Sequence, residues 1–165
     1  MEKKTSGIWL VLGRGAVTWL FFVCVLFIWH NSMESAAASS VRSGRVTEVF
    51  NQVLSDLGGG TVTEHFVRKL AHFSEYGMEG VLTVLLFMIY YLKPGRRVWA
   101  MLLTGMFTAV VDESIQFFSA GRSPGIGDIC IDMTGFICGM LFMLLAGKAM
   151  KTWFQNRNRQ RRSAS

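Results

Sequence analysis

Ionisable and polar side chains recur at short intervals within apolar stretches of this sequence. The first group, with steps of mostly three and four residues, contains Arg68, His72, Glu75, Tyr76 and Glu79, and Lys69 lies beside it. Residues with these spacings share one face of a helix. A charged side chain at the centre of a bilayer costs about 2.5–3.5 kcal/mol on insertion scales, so unpaired ones are rarely tolerated there. The group therefore predicts a polar site in or beside an apolar helix.

Two further groups add mainly carboxylates, again with four-residue spacing. They contain Asp112, Glu113 and Gln116, then Asp128 and Asp132, with Arg122 between the two groups. Guanidinium and ammonium groups bind phosphate, whereas carboxylates bind a divalent metal or an amine. An imidazole and a carboxylate can also act as an acid–base pair. An interpretation without any ligand is a salt-bridge network that fixes the register of neighbouring helices.

We expect a ligand-binding site that draws on all three groups: Arg68, Lys69, His72, Glu75, Tyr76, Asp112, Glu113, Gln116, Arg122, Asp128 and Asp132. Within it, the candidates for catalysis are His72, Glu75 and Asp112, should the site be catalytic. No motif specifies a cofactor. A divalent metal bound by His72 with Asp128 and Asp132 is one option that the ligand chemistry leaves open.

The chain around these groups is too apolar for an ordinary soluble domain. Its 165 residues are 51% hydrophobic and 17% charged, and the mean hydropathy is +0.35. This length fits one domain. The net charge of +6 arises from 17 basic and 11 acidic residues, which cluster between apolar runs. These features indicate a membrane protein. We expect no nucleic-acid binding, because the basic C-terminal tail lacks interleaved aromatic side chains.

Four apolar segments approach or exceed the length of about 20 residues that a bilayer requires. The predicted fold is all-α, a polytopic membrane four-helix bundle. Gly135 and Gly139 form a G-x-x-x-G pair in the last segment, which predicts close approach to another helix. We predict transmembrane helices at 15–32, 66–92, 98–119 and 128–150, with a basic cytoplasmic loop at 93–97 and an extracytoplasmic loop at 120–127.

The extracytoplasmic segment 33–65 contains a predicted amphipathic helix at 41–57. Its apolar residues recur at helical spacing before three consecutive glycines, and include Val46, Val49, Phe50, Val53 and Leu57. Two arrangements remain open, because the apolar face can lie on the outer leaflet or pack over the bundle. The first span also has an alternative: the lysines before it and the three alanines at 36–38 resemble a cleaved signal peptide.

Basic residues are distributed unevenly between the two sides of the predicted bundle. Twelve of the 17 lie in 1–14, in 93–97 or from Lys148 onward, and the other five are Arg42, Arg45, Arg68, Lys69 and Arg122. The positive-inside rule places the larger set, both termini and the basic tail 151–165 in the cytoplasm. The tail lacks periodicity, so we expect it to be disordered. At about 1.5 Å per residue, the three polar groups then share one depth in the outer half of the membrane.

Three segments in a fixed order carry distinctive motifs. Segment 68–77 reads R-K-x-x-H-F-x-E-Y-G, and segment 112–122 contains D-E-x-x-Q-x-F followed by G-R. Asp128 and Asp132 then precede Gly135 and Gly139 with spacing D-x-x-x-D-x-x-G-x-x-x-G. Together these segments resemble the VanZ-like membrane protein family, in which the position of Asp132 is usually asparagine.

The resemblance implies one VanZ-like domain over about 32–146 in a multi-pass protein of the bacterial inner membrane. The family's named member is associated with resistance to the glycopeptide antibiotic teicoplanin, which implies a link with the cell envelope. The resemblance assigns no catalytic residue to this chain.

We therefore expect an outward-facing polar site that binds or handles a cell-envelope lipid or a cell-wall precursor. In this hypothesis Arg68, Lys69 and Arg122 hold a phosphate or pyrophosphate. The expected partners are membrane lipids and a phosphorylated, lipid-linked cell-wall precursor, and the sequence is compatible with a homo-oligomer. One alternative is an intramembrane metal- or acid/base-dependent hydrolase acting on a lipid-linked substrate. The other is a small transporter or proton-relay subunit.

Overall fold

The computed structural model describes residues 2–90, 94–123 and 125–163. No strand occurs in these ranges, so the predicted all-α class is confirmed. The predicted end of the second span at 91–92, and Lys93 in the predicted basic loop, lie outside the described residues. The five α-helices are α1 Glu2–Ser32, α2 Ala36–Asp56, α3 Glu64–Ile89, α4 Pro94–Phe118 and α5 Ile126–Ser163.

Three of these helices have the length and apolar composition needed to cross a membrane. Within the described residues, the qualifying stretches are Ile8–Ser32 in α1, Arg97–Phe118 in α4 and Ile126–Arg161 in α5. These helices support the membrane location that the composition predicts. α3 corresponds to the second predicted span, but it carries the first polar group and is not one of the three. That α3 also crosses the membrane stays a prediction.

Short hydroxyl side chains cap α2 and α3. The Thr63 hydroxyl accepts a 3.2 Å hydrogen bond from the amide of Phe66, and the Ser35 hydroxyl accepts one of 3.3 Å from Ala38. Such caps satisfy amides that have no partner within the helix. α2 consequently begins at Ala36 rather than at the predicted 41, because alanines continue the helix from the cap.

Both terminal helices are longer than predicted. α5 continues through Ser163, so the prediction of a disordered tail from 151 was wrong for the described residues. Lysine, arginine and glutamine favour helix, and no glycine or proline follows Gly147. The guanidinium carbon of Arg157 also lies 5.2 Å from the ring centre of Trp153, one turn earlier. α1 likewise begins at Glu2 and continues through 13–15 without a break.

The most extensive helix contact in the fold joins α3 to α5 along a line of glycines. A Cβ atom at Gly139 would collide with the carbonyl oxygen of Gly77, and one at Gly135 would collide with that of Phe73. The G-x-x-x-G pair therefore brings two backbones together, as predicted. α3 is also the central helix, because it contacts each of the other four.

α2 turns polar residues toward the rest of the protein. Its buried side chains are Ser39 and Ser43, and the Ser43 hydroxyl donates a 3.1 Å hydrogen bond to Glu64 at the start of α3. Val49 and Leu57, from the predicted apolar face, are exposed. In the described structure this apolar face therefore does not pack over the other helices.

Candidate functional site

One histidine and two aspartates from three helices meet between these helices. Nδ1 of His72 in α3 lies 3.5 Å from Oδ1 of Asp132 in α5 and 3.9 Å from Oδ2 of Asp112 in α4. Each residue contributes one potential metal ligand, and these atoms all lie within 4.8 Å of one another. The exposed fraction of the side chain is 17% for His72, 0% for Asp112 and 1% for Asp132. We call these three residues the His–Asp cluster.

The carboxylates of the cluster use only part of their hydrogen-bonding capacity. Nε2 of Gln116 donates to Oδ2 of Asp112 at 3.0 Å and to the Ser32 hydroxyl at 3.4 Å. Within the described residues, Oδ1 of Asp112 and both oxygens of Asp132 lack a hydrogen-bond partner, although Nδ1 of His72 lies 3.5 Å from Oδ1 of Asp132. Buried carboxylate oxygens normally have a donor, because desolvation is otherwise uncompensated. The cluster can therefore accept a further donor or a cation.

A cavity of about 300 Å³ adjoins the cluster. Its wall includes His72 and Asp132 together with the basic side chains of Arg68, Lys69 and Arg122. Arginine and lysine are the side chains that hold phosphate groups in proteins. The cavity therefore combines a basic lining, suited to an anion, with the imidazole and a carboxylate of the cluster.

Arg68 and Lys69 differ in their ion-pair and hydrogen-bond partners. Nζ of Lys69 lies 3.6 Å from Oδ1 of Asp128, and the exposed fractions of these side chains are 38% and 41%. An ion pair this exposed contributes little to stability. Arg68 has no hydrogen-bond or ion-pair partner among the described residues. Its guanidinium donors are therefore available to a molecule in the cavity.

Arg122 joins the loop between α4 and α5 to the end of α1. Its Nε donates to the carbonyl oxygen of Glu34 at 2.9 Å, and its Nη2 donates to that of Asn31 at 3.1 Å. Burial is the main cause that lowers the pKa of Arg122, and the nearby positive charge of Arg68 lowers it further. Arginine nevertheless remains charged in proteins. An anion between the two guanidinium groups would relieve their repulsion.

Two hydrogen bonds to backbone carbonyl groups connect the same segments as Arg122. The amide of Ala36 donates to the carbonyl oxygen of Ala120 at 3.0 Å, and the Ser119 hydroxyl donates to that of Ser32 at 2.7 Å. These contacts fix the α4–α5 loop against the junction of α1 and α2. They therefore position one wall of the cavity.

The remaining predicted site residues lie beside the cavity and do not line it. Glu75 accepts a 2.9 Å hydrogen bond from Nδ2 of Asn31, and Glu113 accepts one from the amide of Gly125. Tyr76 is fully buried in the core. The alternative interpretation, a salt-bridge network, is therefore not met at Glu75 and Glu113, whose hydrogen-bond donors are uncharged groups. That any of the predicted residues binds a ligand stays a prediction.

Two contributions to the site were not predicted from the sequence. Asn31 and Ser32 at the end of α1 reach the polar residues of α3 and α4, and His65 lines the cavity. The available signal was the pair of polar residues that ends the apolar run of α1. The spacing of residues within one helix does not show which neighbouring helix a side chain faces. The pair therefore did not indicate that Asn31 and Ser32 contact α3 and α4.

Comparison with protein families gave one match relevant to this site. The VanZ/LLP1 family model matches residues 17–147, which include the His–Asp cluster and the basic residues of the cavity. Searches of curated proteins and of solved structures found no match. Because the matched region covers most of the chain, this protein belongs to the VanZ/LLP1 family.

Proposed function

We propose that the protein binds the phosphate or pyrophosphate headgroup of a cell-envelope lipid or lipid-linked cell-wall precursor in the cavity beside the His–Asp cluster. The observation that carries this proposal is Arg68, which lines the cavity without a partner among the described residues. Arg122 places a second guanidinium group in the same lining. Planar guanidinium groups match phosphate oxygens in charge and geometry.

The proposed setting is the outer half of the bacterial inner membrane. In this arrangement α1, α3, α4 and α5 all cross the bilayer, and both termini lie in the cytoplasm. The excess of basic residues near the termini and near 93–97 supports this orientation. The exposed apolar side chains of α2, including Val49 and Val53, support its contact with the outer leaflet. The lipid chain would then remain in the bilayer while the headgroup enters the cavity.

This function also provides the proposed link with glycopeptide resistance. In this proposal the bound lipid is the wall precursor that a glycopeptide such as teicoplanin recognises. A protein that binds or repositions such a precursor would change its accessibility to the antibiotic. We therefore expect teicoplanin susceptibility to depend on Arg68 in cells that rely on this protein.

Binding of a phosphorylated lipid tests the proposal directly. The full-length protein in detergent is titrated with an isoprenyl pyrophosphate and with the corresponding uncharged isoprenol. We expect the wild-type protein to bind the isoprenyl pyrophosphate and not the isoprenol. Arg68→Gln should bind the isoprenyl pyrophosphate about 10- to 100-fold more weakly, because a charge-assisted hydrogen bond contributes about 1.5–3 kcal/mol. The matched control is Arg45→Gln, which removes the same charge from an exposed position on α2.

Two results would contradict the proposal. One is the absence of binding by the wild-type protein. The other is an equal loss in the Arg68 and Arg45 variants, because that would indicate general attraction between a basic protein and an anionic lipid.

A second candidate function is hydrolysis of the same class of lipid. His72 lines the cavity and contacts two carboxylates, an arrangement that can accept a proton from an attacking water. The test is release of inorganic phosphate from the isoprenyl pyrophosphate under conditions in which binding is measured. Release that is lost in His72→Ala would favour this candidate, and no release by the wild-type protein would exclude it for that substrate.

A further inference from the structure

We propose that His72, Asp112 and Asp132 form a binding site for one divalent transition-metal ion. This inference goes beyond the proposed lipid binding and does not depend on it. The site would be built by three different helices and would lie at the wall of the cavity.

The separations between the potential ligand atoms are close to those of a metal site. Two ligands that each lie about 2.1 Å from one tetrahedral ion are about 3.4 Å apart. The Nδ1 atom of His72 lies 3.5 Å from the nearest oxygen of Asp132 and 3.9 Å from that of Asp112. Small side-chain rotations would therefore bring the three atoms into coordination distance.

Unpartnered carboxylate oxygens provide a second, independent observation. Asp132 is 1% exposed, and neither of its oxygens receives a hydrogen bond within the described structure. Oδ1 of Asp112, which is 0% exposed, is also without a donor there. When both carboxylates are ionised, the cluster has a net negative charge, whether His72 is neutral or protonated. A divalent cation would compensate this charge directly.

Neighbouring groups also match the organisation of a metal site. Gln116 donates to Asp112 at 3.0 Å, which fixes that carboxylate in the way that outer-shell partners orient metal ligands. His72 and Asp132 line the cavity, so a fourth coordination position would be open to a ligand there.

The ligand set favours particular ions. One imidazole nitrogen with two carboxylate oxygens suits Zn²⁺ or Mn²⁺. Mg²⁺ and Ca²⁺ prefer oxygen ligands throughout, so the imidazole makes them less favourable.

The competing explanation is an ion pair in which a protonated His72 bridges the two aspartates. In that arrangement Nδ1 of His72 carries a proton and has no lone pair to donate to a metal ion.

Metal binding is measured with the full-length protein in detergent, after removal of any affinity tag and of metal by a chelator. Zn²⁺ and Mn²⁺ alone are the probes, and isothermal titration is the measurement. We expect one ion per chain for the wild-type protein. Asp132→Asn and His72→Ala should bind at least about 100-fold more weakly, because even outer-shell partners contribute 10- to 100-fold. Asp56→Asn, at an exposed position on α2, should bind like the wild type.

A second measurement separates loss of the site from loss of folding. Added Zn²⁺ should raise the unfolding temperature of the wild-type protein and of Asp56→Asn, and should leave that of Asp132→Asn unchanged. The wild-type titration itself decides the proposal: absence of binding at millimolar Zn²⁺ and Mn²⁺ would overturn it, as would unchanged binding by Asp132→Asn.

The same preparations distinguish this inference from the proposed lipid binding. Arg68→Gln should bind the metal like the wild type but should bind the isoprenyl pyrophosphate about 10- to 100-fold more weakly. Asp132→Asn should lose metal binding. Its lipid binding is compared with that of the wild-type protein, both measured in the presence of a chelator. Failure of either proposal therefore leaves the other testable.

Discussion

The hydroxyl of Thr108 in α4 donates a 2.8 Å hydrogen bond to Oε1 of Glu79 in α3, and both side chains are buried. The second oxygen of Glu79 has no donor among the described residues. This contact joins the central helix to α4 away from the residues that line the cavity. It makes the stability of the bundle sensitive to changes at either position.

We expect Thr108→Val to lower the free energy of unfolding by about 1–3 kcal/mol, because it leaves a buried carboxylate without its donor. Glu79→Gln keeps the acceptor oxygen and removes the charge, so its stability should be equal to or above that of the wild type. The measurement is thermal or denaturant unfolding of the purified protein in detergent. A larger loss in Glu79→Gln than in Thr108→Val would contradict this explanation.

The contact between His72 and Asp132 should appear as an energetic coupling. In metal-free protein, His72→Ala removes the imidazole that two buried carboxylates face, and we expect a loss of about 3 kcal/mol. Asp132→Asn removes one of those charges, so the double variant should be more stable than the sum of the single losses predicts. Unfolding measured in the presence of a chelator completes the double-mutant cycle. Additive losses would show that the two residues do not interact.

The glycine contact between α3 and α5 predicts a sharp difference between two positions on α5. Gly139→Val forces the side chain against the backbone of Gly77, and we expect a loss of about 1–3 kcal/mol or a failure to insert. Gly147→Ala is the control, because its Cβ would lie 3.8 Å from Met88, an ordinary contact distance. Both variants are compared by yield of folded protein and by unfolding temperature. Equal effects would argue against close packing at Gly139.

Arg122 and Arg68 should have separable roles. Arg122→Gln removes two hydrogen bonds to carbonyl groups near the end of α1, so we expect a loss of about 2–3 kcal/mol in stability. Arg68→Gln removes no hydrogen bond or ion pair within the described structure and should change stability by less than about 0.5 kcal/mol. Thermal unfolding of the two proteins without added lipid provides the comparison. A structural role for Arg68 would appear as a comparable loss in both.

Membrane crossing by α3 is tested with reporter fusions. If α3 spans the bilayer, alkaline phosphatase fused after Gly60 is active, and the same enzyme fused within 93–97 is inactive. A fluorescent protein fused after Ser165 should be fluorescent, because the C-terminus is then cytoplasmic. Fusions at 60 and at 93–97 that report the same side would show that α3 does not cross.

The sequence predicted some placements of polar residues better than it predicted their contacts. Four-residue spacing correctly placed Arg68 with His72 in α3, and Asp128 with Asp132 in α5, at one cavity. The G-x-x-x-G pair correctly indicated a close helix contact. Which acids meet His72 depends on how α4 and α5 are rotated against α3, and in α5 Gly135 lies directly against the backbone of Phe73. Spacing within single helices does not contain that information.

The role of Arg122 shows a second limit. The salt-bridge interpretation would pair its charge with carboxylates, but its hydrogen bonds go to backbone carbonyl groups at the end of another helix. The loop adopts this path through Gly121, whose φ of +76° favours glycine. Every residue type has a backbone carbonyl group, so the sequence does not show which residues accept these hydrogen bonds.

The length of α5 has a mechanical consequence. Its 38 residues extend about 57 Å, roughly twice the thickness of the hydrocarbon layer. If α5 crosses the bilayer, its basic end extends beyond the hydrocarbon layer while belonging to the same helix as Asp132. Because no turn interrupts the helix between these parts, a change in the orientation of the basic end would also move the stretch that carries Asp132.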